Sequence, residues 1–119
     1  MNDPYPFCQA PDPEPRPVSF DVPAGAVDCH AHVFGPESRY PYSPLRGYTP
    51  PDASLETLLK LHRTLGGIER VVLTQPSVYG TDNTCMMDAA ASLGERCRSV
   101  VALGPDVTDN ELEVLHEQG

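Results

Sequence analysis

The sequence predicts an α/β chain built on a parallel sheet. Three short apolar runs carry the prediction: 27–33, Val71-Val72-Leu73-Thr74 and Val100-Val101-Ala102-Leu103. Each is followed by a stretch of helical periodicity, and no hairpin signal joins any two of them. Strands that alternate with helices pair in parallel through right-handed crossovers. Three such units leave open whether the sheet is flat or closed into a barrel. Parallel sheets require cover on both faces, and the third strand would be left as an edge. The chain is therefore expected to be the N-terminal part of a larger fold.

Residues 1–23 read as an extended arm. Seven prolines (4, 6, 11, 13, 15, 17 and 23) remove backbone donors and favour polyproline II over helix or sheet. The arm is either a free tail or a wrap-around segment, and residues 24–119 form the folded part.

The first strand spans 27–33. A loop rich in Pro and Tyr follows, and then a helix from Asp52 or Ser54 to Leu65. Its Leu55, Leu58, Leu59 and Leu65 keep helical spacing, and Gly66-Gly67 stop it. The second strand, 71–74, empties into Gln75-Pro76-Ser77-Val78-Tyr79-Gly80. A second helix starts near 81–83, where Asp82 and Asn83 are natural caps, and ends at Gly94. The third strand is placed at 100–103. Thr108 and Glu111 have the spacing of a capping box for a third helix, with Leu112 and Leu115 as its apolar stripe.

Composition excludes several functions. The 119 residues hold 8 Lys and Arg against 17 Asp and Glu, a net charge of −9. Such a chain lacks the basic face that nucleic acid or anionic lipid requires. No apolar run approaches the roughly 20 residues that cross a bilayer, and no signal peptide is visible. Cysteines 8, 29, 85 and 97 form no C-x-x-C pair. They read as reduced thiols of a cytoplasmic protein. Oligomeric state is not legible.

The chemistry concentrates in Asp28-Cys29-His30-Ala31-His32. Residues two apart on a strand share a face, so His30 and His32 would hold two imidazoles side by side. Such a pair suits gripping a metal ion or polarising a carbonyl. Regular alternation puts Asp28 on that same face, one step deeper, and Cys29 on the other.

Parallel α/β folds bind ligands at the carboxyl ends of their strands. His30 and His32 close strand one, Ser77 and Tyr79 follow strand two, and Asp106 follows strand three. Tyr48 sits in the first loop, which can fold over that end. Ser77 reads as a substrate hydrogen bond or a turn cap, and Tyr48 and Tyr79 as loop-packing aromatics. His62 and His116 lie in helices and read as partly exposed, without a role.

Val27-Asp28-Cys29-His30-Ala31-His32-Val33-Phe34-Gly35-Pro36 resembles the opening strand of the amidohydrolase superfamily. Tyr40-Pro41-Tyr42-Ser43-Pro44, Tyr48, Gln75-Pro76-Ser77 and Gly80-Thr81-Asp82-Asn83 narrow the likeness to lactonases of the 2-pyrone-4,6-dicarboxylate hydrolase type. It covers residues 20–119. The resemblance implies a partial (β/α)8 TIM barrel, of which the first three β/α units are present, and hydrolysis of a carboxylated lactone in aromatic-compound breakdown.

In that branch a late-strand aspartate activates water without a metal, while histidines polarise the carbonyl. His30 and His32 match two of those histidines. Tyr48 matches a tyrosine that contacts a substrate carboxylate, and Ser77 a polar residue at the pocket edge. Other branches use the same pair to hold a divalent ion such as zinc for hydrolysis or decarboxylation. The aspartate, a third histidine and the substrate-holding arginines have no match within residues 1–119, and Asp106 lies at the wrong strand to replace the aspartate. The chain alone is therefore expected to be inactive. A non-catalytic product is a further alternative.

Overall fold

The computed structural model describes residues 4–119. Three strands, β1 (Val27–Ala31), β2 (Arg70–Thr74) and β3 (Cys97–Val100), form a parallel sheet in the order β1-β2-β3. Helices α1 (Leu55–Thr64), α2 (Thr84–Leu93) and α3 (Asp109–Glu117) alternate with them. The β/α alternation of the sequence is thus the architecture of the chain.

Local chemistry sets the helix ends. Ser54 accepts the Thr57 N–H at the start of α1, and Thr108 and Glu111 form a complete capping box on α3. Gly94 stops α2 at φ +57°, a conformation that favours glycine. Asp82 accepts the N–H and the hydroxyl of Thr84. Asn83 occupies the N-cap position of α2, but its side chain makes no cap bond.

The third strand lies three residues earlier than the apolar run suggests. Cys97 pairs with Val71 and Val100 with Thr74, whereas 101–103 leave the sheet. Asn83 supplies the physical reason. Its Oδ1 accepts the Ala102 N–H at 2.9 Å and its Nδ2 donates to the Ala102 carbonyl at 2.9 Å. Both backbone groups of Ala102 are satisfied by a side chain instead of a ladder. β1 likewise ends early, because Phe34 leaves to exchange two backbone bonds with Ala53.

Consecutive right-handed crossovers put α1 and α2 on one face of the sheet. The core lies on that side. Val71 and Leu73 pack with Val78, Met86, Ala90 and Leu93, all buried, and α1 adds the partly buried Leu55, Leu58 and Leu59. The opposite face has no helix over it, and Val27 and Val100 stay 41% and 53% exposed there. No helix is long and apolar enough to cross a membrane among the described residues.

Residues 4–26 contain no helix or strand of their own. Phe7 bridges to Thr49 in parallel register, Tyr5 donates to the Pro44 carbonyl at 2.8 Å, and Lys60 of α1 donates to the Pro13 carbonyl at 2.9 Å.

Candidate active site

β1 is not a regular strand. Asp28 pairs with Val71 and Ala31 with Leu73, so three steps on β1 oppose two on β2. A bulge of this kind reverses the alternation downstream of it. Asp28 and Ala31 consequently share the helix-side face with Val71 and Leu73, and His30 and His32, flanking Ala31, turn to the open face. The expectation that Asp28 joins the histidines is therefore corrected.

Asp28 instead reaches α1. Its Oδ2 accepts from His62 Nε2 at 2.8 Å, and its Oδ1 accepts the His30 backbone N–H at 3.2 Å. His62 is only 3% exposed, so its reading as a partly exposed helix residue without a role is also corrected. A buried imidazole requires a partner, and the carboxylate two residues before the histidine pair provides it. His116 of α3 is exposed.

The two candidate histidines do sit side by side. Their ring centroids are 5.0 Å apart and the rings meet edge-on at 84°. Both residues are exposed. His32 Nδ1 lies 2.7 Å from the carbonyl oxygen of Thr74, the last residue of β2. A carbonyl only accepts, so Nδ1 carries the proton, and Nε2 of the neutral ring holds the lone pair. The His32 ring also lies 6.0 Å from that of Phe34.

Ser77 opens a short 3-10 turn, Ser77–Tyr79, directly after β2, and is exposed. Tyr48 is half-buried and packs against the hydrophobic core. Among the described residues, neither makes a hydrogen bond or ring contact with the histidine pair. Tyr79 is a buried packing aromatic. Its hydroxyl accepts the Gly35 N–H at 2.7 Å, and burial pushes its phenol well above the ordinary value. Asp106 lies in the groove between α2 and α3, with Met87 and Asn110, which neither histidine of the pair lines.

Gln75, in the Gln75-Pro76-Ser77 segment after β2, has a structural role that no local sequence signal marks. Its side chain donates to the carbonyls of Gly80 and Asp82 at 3.1 and 2.8 Å, which holds the loop between β2 and α2 in shape. No group of three or more His, Cys, Asp and Glu side chains is placed to hold a metal among the described residues. Two imidazoles are fewer than the three or four protein ligands that a zinc site takes.

Residues 27–119 match the family model described as amidohydrolase. The chain belongs to the amidohydrolase family. It is 41% identical over 114 residues to a 4-sulfomuconolactone hydrolase of Hydrogenophaga intermedia, covering 96% of this chain and 37% of the relative. It is 44% identical over 105 residues to a 2-pyrone-4,6-dicarboxylate hydrolase of Comamonas testosteroni, covering 88% and 34%. The fold superposes with a TM-score of 0.69 and 29% identity on an Acinetobacter baumannii crystal structure, described as a probable 2-pyrone-4,6-dicarboxylic acid hydrolase with citric acid bound. That match covers 80% of this amidohydrolase chain and 35% of the neighbour. The chain thus spans about a third of the length of its relatives.

Proposed function

We propose that this chain supplies the histidine-bearing first three β/α units of a (β/α)8 barrel that opens a carboxylated lactone similar to a pyrone dicarboxylate. The edge-on pair at 5.0 Å on the open face carries the reading. Both curated relatives described above are lactone hydrolases by name, which supports the substrate class.

Water adds to the lactone carbonyl carbon, and negative charge develops on the carbonyl oxygen. The ring C–O bond then breaks, and the ring oxygen leaves as a hydroxyl after taking a proton. Donors aimed at the developing oxyanion lower the barrier, by about 3 kcal/mol for each. His32 spends its Nδ1–H on Thr74, so it donates to an oxyanion only as the imidazolium, through Nε2. His30 Nδ1 and Nε2 make no hydrogen bond among the described residues, and either is available for that donation. Tyr48 and Ser77 are proposed to hold the substrate's carboxylate and the pocket edge. The site is proposed to lie in the cytoplasm and to need no metal.

One observation favours a second reading. A histidine whose Nδ1–H is tied to a backbone carbonyl presents the lone pair that a metal takes. In that reading His30 and His32 hold a divalent ion such as zinc, which when bound polarises the carbonyl as a Lewis acid.

The test joins residues 1–119 to the remaining two thirds of the Comamonas testosteroni relative and follows pyrone dicarboxylate opening. The chimaera is expected to turn over, and residues 1–119 alone are not. His30→Ala and His32→Ala should each lower kcat/KM by about 10²–10³-fold. Turnover indifferent to both substitutions overturns the proposal. Activity lost to a chelator and restored by zinc selects the second reading.

A further inference from the structure

Helix α1 carries a buried residue that none of the chemistry above uses. His62 sits on the helix side of the sheet, 3% exposed, with its Nε2 donating to Asp28 Oδ2 at 2.8 Å. The same carboxylate uses its other oxygen to accept the His30 backbone N–H at 3.2 Å. One acid thus bridges helix α1 and the peptide unit of a candidate catalytic histidine.

The bridge coincides with the β1 bulge. Asp28 and Ala31 bracket it, pairing with Val71 and Leu73. Without the extra residue, alternation from Asp28 would place His30 and Ala31 on each other's faces. The His30 N–H falls within the bulge, where the ladder leaves backbone groups unpaired. Asp28 Oδ1 satisfies this one, and His62 holds the carboxylate in place from a helix position 34 residues away.

We propose that His62 is a positioning residue: through Asp28 it holds the β1 bulge and so orients His30 beside His32. The catalytic consequence of that orientation rests on the proposed function, whereas the structural link is measurable without turnover. A removed buried donor leaves its acceptor partly unpaired, and the cost should appear locally at His30 rather than across the sheet.

The test is residue-resolved amide exchange and ring NMR on the 119-residue chain. His62→Leu fills the buried space without a donor, and His62→Gln keeps an N–H to offer Asp28. In His62→Leu the His30 amide should exchange about tenfold faster or more, with His30 and His32 ring signals shifted. The Val72 and Leu73 amides should hold their protection. His62→Gln should restore the His30 amide to near the native rate.

Unchanged His30 exchange in His62→Leu overturns the proposal. Equal loss across all three strands also overturns it, since the pair then serves only stability. If His62→Leu does not fold, the reading passes to His62→Gln, and selective retention of the His30 amide supports the proposal while uniform loss defeats it. None of these outcomes depends on lactone opening, so failure here and failure of the functional proposal are separable.

Discussion

His32 Nδ1 donates to the carbonyl oxygen of Thr74 across 2.7 Å, so the end of β2 selects the tautomer of a histidine on β1. The bond joins the first two strands at their carboxyl ends and leaves one imidazole nitrogen for outside chemistry.

The neutral His32 ring should therefore be the Nδ1–H tautomer. Long-range ¹H–¹⁵N correlation spectra of the chain should show a protonated Nδ1 and an unprotonated Nε2. The reverse pattern would remove the Thr74 bond, and with it the argument about which nitrogen faces a ligand.

Asn83 should matter more than its half-buried surface suggests. It bonds Thr81 O, Ala102 O and Ala102 N. Asn83→Ala is expected to cost about 1–3 kcal/mol, seen as a lower midpoint in urea unfolding. The 101–103 segment should lose amide protection first.

Tyr79 links burial to alkaline stability. Its phenol is raised from the ordinary 10.0 chiefly by burial. A raised group contributes stability that is complete below the unfolded value and lost as pH climbs beyond it. Unfolding free energy should therefore decline above about pH 10. Tyr79→Phe should make that decline shallower, with the rest attributable to Tyr40, Tyr42 and the thiols of Cys85 and Cys97, which are also raised. At neutral pH the same variant leaves the Gly35 N–H unpaired and should cost about 1–2 kcal/mol.

The four thiols should divide evenly. Cys8 and Cys29 are exposed, while Cys85 and Cys97 are buried and pushed upward in pKa mainly by burial. Native chain should release two equivalents rapidly to a thiol-reactive dye and two more only in denaturant. Fast labelling of Cys85 would contradict the packing of α2 against the sheet.

The order of strands and helices, the caps at Ser54 and Thr108 and the adjacency of His30 and His32 were all written locally. Each depends on residues one to four positions apart, and periodicity and capping report interactions at that range. The same short range makes the neighbouring errors intelligible. An apolar run at 100–103 looks like a strand until Asn83, 19 residues earlier, claims Ala102. Asp28 looks like a companion of the histidines until a bulge turns it toward His62, 34 residues later. The sequence by itself determined that two imidazoles stand two residues apart at the end of the first strand. Only the tertiary structure decided which side chains face together, because one inserted residue in a ladder reverses a strand's faces without changing its composition.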